Sequence, residues 1–407
     1  MARLWLSEEE ASLFILWSKK LKMISNFEAD QVDPSIFFSR KCTVLACADH
    51  GIASHGVSAF DDSVTLQMIK NYLIHRGAAA NVFSKFAGAD LFVVDVGVRA
   101  KTQNIPDLIR KKISHGTKDF SKEPAMSETQ AIQSIEIGRS IAKNLIDRGY
   151  RIFLPAEMGI GNTTSSAAIT SAICKIPPEV VTGRGSNISD DRFQRKIQLI
   201  SRALEVNQPN SNYGIDVLKK VGGFELGCLA GVMIEAANQK CLTILDGFNT
   251  FAVALIAEKI SPGSKKFMIG SQISREPGQK FANQILNVNP FLDLNLRFGE
   301  CSGSSIVARM IGEKIFESIP EIPFNESQAK FRIDHFAKPI DSLGIFETIA
   351  IRLAGKKNID DLLQTIDRDL RHEIVLASVK MLLEMKTFEE CGVSTAIDGI
   401  GKSRQSN

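Results

Sequence analysis

The sequence predicts an α/β protein with a doubly wound, mostly parallel sheet, and three observations support this fold class. Short apolar runs alternate with helix-length amphipathic segments from about residue 42 to residue 310. These runs lack a polar alternation, which is typical of strands that are buried on both faces. Glycine or acidic residues follow nearly every run, at the carboxyl end of the predicted strand. In parallel sheets, ligands bind beyond the carboxyl ends of the strands.

Six apolar runs are the predicted strands, and their length and β-branched content favour strand over helix. They are Cys42–Ala48, Leu91–Val96, Arg151–Pro155, Glu179–Thr182, Leu242–Leu245 and Lys266–Ile269. Helices are predicted between them wherever apolar residues recur with the helical period. The predicted helices span 63–75, 129–148, 163–174, 190–205, 223–238, 248–258, 276–286 and 303–317.

The regions outside this alternation predict a second, smaller helical domain. A capping box at Ser7 opens a predicted helix that ends near Met23. Prolines punctuate the chain after residue 319, and helical patterns at 342–354 and 359–386 follow without a strand signal. We therefore predict a large α/β catalytic domain at 35–318. Residues 1–34 and 319–395 form the predicted small domain, and 396–407 the predicted flexible tail.

Composition and charge exclude several broad classes of function. Charged residues make up 23% of the 407 residues and the net charge is only +3, which argues against a nucleic-acid or membrane-surface partner. Apolar runs are shorter than the roughly 18 residues of a membrane span. The acidic start lacks the apolar core of a signal peptide, so we expect a cytoplasmic protein. The seven cysteines have no CxxC spacing, which disfavours both zinc and disulfides.

The segment from Glu157 to Ser165 has the strongest pattern for a ligand site. A predicted strand ends, Gly159 and Gly161 permit close approach of a ligand, and hydroxyl residues begin a helix. Free N–H groups at a helix start hold anions or sugars, and a carboxylate such as Glu157 accepts from ribose hydroxyls. The segment fits neither a P-loop nor the dinucleotide fingerprint. A capped tight turn without a ligand is the structural alternative.

A second glycine-rich segment, Thr182-Gly183-Arg184-Gly185, precedes another predicted helix and is a further anion-site candidate. Lys196 lies about two turns into that helix and is close enough to reach a phosphate there. The alternative for a lone lysine is a solvated surface residue.

Further polar residues are weaker candidates when each is taken alone. Glu300 lies between glycines before an apolar helix, where it is a candidate base or an acid favoured by the helix dipole. Ser271 follows the last predicted strand. His50 and His55 bracket a loop, but no third ligand is evident and we expect no metal. Asp246 is a single acid, whereas enzymes that use pyrophosphorylated ribose carry adjacent acids after a strand.

Together these segments resemble the nicotinate-nucleotide:dimethylbenzimidazole phosphoribosyltransferase family of cobalamin biosynthesis. The similar stretches run from about residue 43 to residue 310 in the family's order. They include CADHGIASHGVSAF (47–60), GTKDFSKEPAMS (116–127), EMGIGNTTSSAA (157–168), GRGSNISDD (183–191), SREPG (274–278) and LRFGECSGSS (296–305).

The resemblance implies a metal-independent transfer of a 5-phosphoribosyl group from nicotinate mononucleotide to a benzimidazole-type base. It implies that Glu300 is the catalytic base, that no cofactor is needed and that the enzyme is a homodimer. The implied phosphoribosyl-binding residues are Glu157, Gly159, Lys196, Thr182, Gly183, Arg184, Gly185 and Ser271. The implied base-binding residues are Phe60, Gln67, Met68, Met158 and Phe298.

Two departures from the family pattern add expectations. Cys301 replaces a small residue after Glu300, and we expect it to crowd the pocket. The family's usual amino-terminal Lys-Pro-Pro-Gly-Ser-Leu-Gly segment is missing, but a relative of it stands at Lys338–Glu347 and continues to Gly355. There Ile340 and Asp341 replace the second proline and the glycine. We predict a circular permutation of the small domain, with chance similarity as the alternative.

Two other functions remain open at this point. One is a nucleotide-binding paralogue without turnover, which the presence of Glu157, Lys196 and Glu300 disfavours. The other is an NAD-dependent oxidoreductase, which only the fold class suggests.

Overall fold

A computed structural model describes residues 40–293 and 299–312, and these contain a seven-stranded, all-parallel sheet. The strands are β1 (Lys41–Ala48), β2 (Ala89–Gly97), β3 (Ile109–Arg110), β4 (Ile152–Met158), β5 (Leu242–Leu245), β6 (Met268–Gln272) and β7 (Pro290–Leu292). Their order is β3-β2-β1-β4-β5-β6-β7. Because β1 pairs with both β2 and β4, the chain reverses direction across the sheet between β1 and β4. Crevices at such reversals bind ligands in Rossmann-like sheets.

Eleven α-helices connect or follow these strands in the described ranges. They are α1 (Ser63–Lys70), α2 (Ala79–Ala87), α3 (Glu128–Asp147), α4 (Asn162–Cys174), α5 (Pro178–Val181), α6 (Asp190–Asn207), α7 (Gly214–Val221), α8 (Phe224–Asn238), α9 (Phe248–Ile260), α10 (Gln279–Leu286) and α11 (Ser302–Gly312). A π turn at Asn71–His75 extends α1, and short 3-10 helices lie at Gly51–His55 and Ser264–Phe267. None of these helices is both long and apolar enough to cross a membrane.

Alternate residues of β1 point to opposite faces of the sheet, which confirms the doubly wound arrangement. Val44 and Ala46 pack into a large core with α3, α4, α7, α8 and α9. Leu45 and Cys47 pack into a smaller core with residues of α1, α2 and the turn before α11. Burial on both faces explains why the strands are apolar without alternation.

The longest helix, α3, begins at a capping box formed by Ser127 and Gln130. It packs very closely against α8. A Cβ atom added to Gly138 would lie 1.8 Å from the Cys228 carbonyl oxygen, and one added to Gly231 would lie 1.9 Å from that of Ile135. Glycine is therefore required at this crossing, which holds α8 against the centre of the sheet.

One predicted strand is wrong. Residues 179–182 are not a strand, because Pro178–Val181 forms the single-turn helix α5 with Pro178 in its first turn. The fixed φ of proline suits the first turn of a helix, and this local constraint overrides the β preference of Val180 and Val181. The short strands β3 and β7 and the helices α2 and α7 were not predicted.

Other predictions concern residues outside the described ranges. The helix after Ser7, the small domain, the tail and the permuted segment 338–355 all lie there, and so does Phe298. Described residues up to Arg309 belong to one compact unit, while Met310–Gly312 fall in a second unit. The predicted domain boundaries stay predictions.

Candidate active site

A cleft of about 470 Å³ opens at the carboxyl ends of β4, β5 and β6, beside the reversal point of the sheet. This volume is within the range of small-molecule sites. The cleft is lined by the end of β4, the start of α4, the loop 183–185, residues 246–250, the segment 272–277, Phe193, Gly299 and Glu300. The predicted site residues among them are Glu157, Met158, Gly183, Arg184, Gly185 and Glu300.

Glu157 is the last but one residue of β4, and two asparagines hold its carboxyl group. Asn249 Nδ2 donates to Oε1 over 2.9 Å, and Asn162 Nδ2 donates to Oε2. Burial raises the pKa of Glu157 to about 8, and the charges of Glu225, Asp246 and Glu300 act in the same direction. The carboxyl group is therefore fixed in place and strongly prefers a cationic neighbour.

Asp246 and Glu300 bring two more carboxyl groups to the same cleft. Burial raises the pKa of Asp246 to about 6, although hydrogen bonds from the backbone near Ser304 oppose this. Burial also raises the pKa of Glu300, although the Ala80 N–H, which donates to its carboxyl group over 3.1 Å, and the nearby Tyr72 hydroxyl lower it. A carboxyl group with a raised pKa is a better proton acceptor when it is ionised.

The start of α4 forms the floor of the cleft. A Cβ atom at Gly159 would lie 2.1 Å from the Ala48 carbonyl oxygen, so only glycine lets this loop pack against the end of β1. Gly161 has a φ of 98° and precedes Asn162 and Thr163, which line the cleft. Gly159 itself lies behind the lining, where it positions the loop.

The loop 183–185 already holds an anionic group. The Gly185 N–H donates to Glu276 Oε1 over 2.8 Å, and a Cβ atom on Gly183 would lie 2.1 Å from Glu276 Oε2. Lys196 is fully buried behind this loop and donates to the Gly183 carbonyl oxygen at 3.1 Å and to Thr163 Oγ1 at 3.0 Å. Burial lowers the pKa of Lys196 to about 8, while the charge of Glu276 opposes this.

The remaining predicted phosphoribosyl residues support the walls rather than line them. Thr182 is buried, and its hydroxyl donates to the Pro178 carbonyl oxygen. Ser271 is buried as well, and its hydroxyl donates to the main-chain oxygen of Asp246 over 3.0 Å.

The predicted base-binding residues are only partly brought together. Met158 lines the cleft, whereas Phe60 is 57% exposed and Gln67 lies on the exposed side of α1. Met68 packs against the smaller core. Their roles stay predictions. Cys301 does not crowd the cleft, since its side chain is buried in the smaller core, and the expectation of crowding was wrong.

Sequence reasoning missed several residues that build this site. Asn162 and Asn249 were not identified as partners of Glu157, and Glu276 was not identified as the occupant of the glycine loop. A buried pair joins His50 Nε2 to Glu225 Oε1 at 2.6 Å. Over the described ranges, no group of three potential metal ligands is found.

Comparisons with known proteins agree on one family. A phosphoribosyltransferase family model matches residues 23–314, a range that does not include 338–355. The nicotinate-nucleotide–dimethylbenzimidazole phosphoribosyltransferase of Chloroflexus aggregans is 44% identical over 65% of this chain and 75% of its own length. That of Halalkalibacterium halodurans is 39% identical over 76% of this chain and 85% of its own length.

A solved structure is similar as well. The crystal structure of CobT from Thermus thermophilus superposes with a TM-score of 0.65 at 37% identity, covering 68% of this chain and 84% of that protein.

Proposed function

The chain belongs to the nicotinate-nucleotide–dimethylbenzimidazole phosphoribosyltransferase family, and on that premise we propose that it transfers a 5-phosphoribosyl group from nicotinate mononucleotide to a benzimidazole-type base. The products are an α-ribazole 5′-phosphate and nicotinate. The observation that carries the proposal is the meeting of Glu157 and Glu300 in one cleft, beside the glycine loop that Lys196 supports.

The chemistry of the donor fits an acidic cleft. The nicotinate ring of the donor is a pyridinium cation, and it leaves as a neutral ring when the glycosidic bond breaks. Positive charge then develops on the ribose, and a fixed carboxylate such as Glu157 stabilises it. The two asparagines preorganise that carboxylate, so it needs no reorganisation at the moment of reaction.

Glu300 takes the proton of the incoming base. Its raised pKa makes the ionised carboxylate a stronger proton acceptor than an exposed glutamate. As Glu300 removes the imidazole proton, the other ring nitrogen attacks the anomeric carbon from the face opposite the leaving nicotinate. Attack from that face inverts the carbon and converts a β-nucleotide into an α-riboside.

The anionic end of the donor lies near the loop 183–185 and the start of α4 in this proposal. Backbone N–H groups at the start of a long helix favour phosphate. Lys196 and Arg184 add positive charge on the same side. Glu276 must yield its hydrogen bond to Gly185 if phosphate takes that N–H.

One assay tests the proposal against its rivals. The protein is mixed with nicotinate mononucleotide and 5,6-dimethylbenzimidazole without added metal, and α-ribazole 5′-phosphate is sought by chromatography and mass spectrometry. We expect product and stoichiometric nicotinate. Donor binding without product, for benzimidazoles, purines and phenols alike, would indicate a non-catalytic paralogue, while the absence of both donor binding and product would favour the oxidoreductase.

Three finer statements belong to the same proposal. We expect a homodimer in the cytoplasm that needs no cofactor and binds neither nucleic acid nor membranes. The pocket around Met158, Phe60, Gln67 and Met68 selects the acceptor base. Single apolar changes in such a pocket alter selectivity by only about 1–3 kcal/mol.

A further inference from the structure

Asp246 is fixed at the carboxyl end of β5 by its own main chain. Its N–H donates to Thr250 Oγ1 of α9 over 2.9 Å, and its carbonyl oxygen accepts from Ser271 Oγ of β6 over 3.0 Å. The residue is only 3% exposed, yet it lines the cleft. Its carboxyl group therefore projects from a rigid support that spans two neighbouring elements.

The Asp246 carboxylate caps the turn that carries Glu300. Oδ1 accepts the Ser304 N–H over 2.9 Å, and the nearby backbone of Gly303 and Cys301 also favours the ionised carboxylate. The Ser304 hydroxyl donates to the Cys301 carbonyl oxygen over 3.2 Å within the same turn. The first N–H groups of a helix have no partner within the helix, so an anion at the start of α11 is favourable.

This turn has an unusual backbone that needs such a clamp. Glu300 and Cys301 both have a φ of 58°, in the left-handed region that non-glycine residues rarely adopt. Each such residue costs about 1–3 kcal/mol, and it persists only where its surroundings enforce it. The Ala80 N–H fixes the carboxyl group of Glu300 by a hydrogen bond, so the position of the Glu300 backbone depends on the conformation of the turn.

From these contacts we propose that Asp246 is a positioning residue for the base: it clamps the Glu300–Ser304 turn so that the Glu300 carboxylate meets the acceptor ring. The inference rests on the proposed role of Glu300. A misplacement of about 1 Å in a reacting group can lower the rate by about a hundredfold, so the orientation of the turn matters for turnover.

The charge of Asp246 gives this role a signature that a purely structural role lacks. Burial raises the pKa of the Glu300 carboxyl group and the Asp246 charge adds to this, while the hydrogen bond from the Ala80 N–H and the nearby Tyr72 hydroxyl lower it. Removing the charge therefore moves the acid limb of the pH profile of turnover to lower pH. A variant that keeps the charge but shifts its position leaves the limb in place.

The experiment compares two substitutions. Asp246→Asn removes the charge, and Asp246→Glu keeps it but moves the oxygens by one methylene. We expect kcat to fall about tenfold to a hundredfold in both, with the donor KM changed less than about twofold. Only Asp246→Asn moves the acid limb. If Asp246→Asn fails to fold, the kcat of Asp246→Glu still tests whether the position of the Asp246 carboxylate matters for turnover.

Asp95→Asn is the matched control. Asp95 is also a buried carboxylate near the end of a parallel strand, where it accepts from the N–H groups of Gly97 and Val98 and pairs with Lys112 at 3.4 Å. We expect this variant to lose thermal stability while keeping kcat and the pH profile.

Three outcomes decide the matter. A wild-type kcat in Asp246→Asn or Asp246→Glu would overturn the positioning role while leaving the proposed function intact. A reduced kcat with an unmoved acid limb in Asp246→Asn would also overturn it, since the loss would then be structural. Wild-type protein without turnover would overturn the proposed function, and this inference with it.

Discussion

The carboxyl groups in the cleft have raised pKa values, whereas the carboxyl group of Asp119, near the His55 loop, has a lowered one. Asp119 accepts from His55 Nε2 at 2.7 Å and pairs with Lys122 at 3.1 Å. Partial burial raises its pKa, but the hydrogen bonds from His55, Ser121 and Lys122 outweigh this and lower it to about 2. Burial raises the pKa of Glu157 to about 8, and neighbouring carboxylates act in the same direction. Burial also raises the pKa of Asp246 to about 6.

This difference in pKa separates carboxyl groups that stabilise the fold from carboxyl groups that are placed to contact a ligand. Ionisation of Asp119 stabilises the folded protein, whereas ionisation of the cleft carboxyl groups together destabilises it. A cationic ligand between them would remove that repulsion. Strongly perturbed carboxyl groups gathered in a cleft are typical of active sites, where stability is exchanged for function.

The largest effect is expected at Glu300. Glu300→Gln keeps the shape of the side chain but cannot accept the imidazole proton, so kcat should fall by roughly 10²–10⁴. Donor binding should stay within about twofold, since the donor carries no proton for this residue. Steady-state kinetics with calorimetric titration of nicotinate mononucleotide measure both quantities. Unchanged turnover would contradict the assignment of Glu300 as the base.

Glu157→Gln should lower activity and raise stability. Loss of the carboxylate opposite the ribose should reduce kcat/KM by about a hundredfold. The raised pKa means that the folded state is penalised as pH rises from the ordinary value near 4.5 to about 8. Removal of the charge should therefore raise the unfolding temperature at pH 8, by about 2–4 °C per kcal/mol.

The pH series contains the control for Glu157→Gln. Well below pH 4.5, Glu157 is protonated in both the folded and the unfolded state, so the stability gain should disappear. The Asn249 Oδ1 atom has no hydrogen-bond partner, and rotation of this amide would satisfy the new glutamine. Equal unfolding temperatures at pH 8 would mean that neither burial nor the neighbouring carboxylates penalise ionisation of Glu157 in solution.

The sequence predicted the sheet better than it predicted the cleft. Strands β1, β2, β4, β5 and β6 were identified because burial on both faces leaves continuous apolar runs. Residues 179–182 were misassigned because Val180 and Val181 favour strands, while the effect of Pro178 on the first turn of α5 was overlooked. Strands β3 and β7 have only two and three residues, too few to give a period.

Sequence patterns found cleft residues that directly follow strands, and they missed partners from distant segments. Glu157 and the glycines after β4 carry a local signal. Asn249 meets Glu157 across 92 residues, and Glu276 meets Gly185 across 91. Such pairs depend on the order of strands in the sheet, which local spacing does not reveal. Lys196 was identified, but its complete burial was not.

A smaller effect is expected at the glycine loop. Glu276 holds the Gly185 N–H and lies near Lys196, so its charge competes with an incoming phosphate. Glu276→Gln should strengthen binding of the donor and of inorganic phosphate roughly threefold to tenfold, as expected when a like charge is removed near the surface of a protein. Titration calorimetry measures the change. Weaker binding of both ligands would show instead that Glu276 orders the loop.

The smallest effect is expected at Asp119, outside the cleft. Its lowered pKa stabilises the fold above the ordinary value of 3.8, and this contribution is lost as pH falls through about 2. Asp119→Asn should lower the unfolding temperature at pH 7 by a few degrees and leave kcat within about twofold, as is usual for a change outside an active site. Below pH 2 the two proteins should unfold alike. A large loss of turnover in Asp119→Asn would mean that the two classes of carboxyl group are coupled through the His50–His55 loop, because His50 contacts the loop behind Glu157 and His55 contacts Asp119.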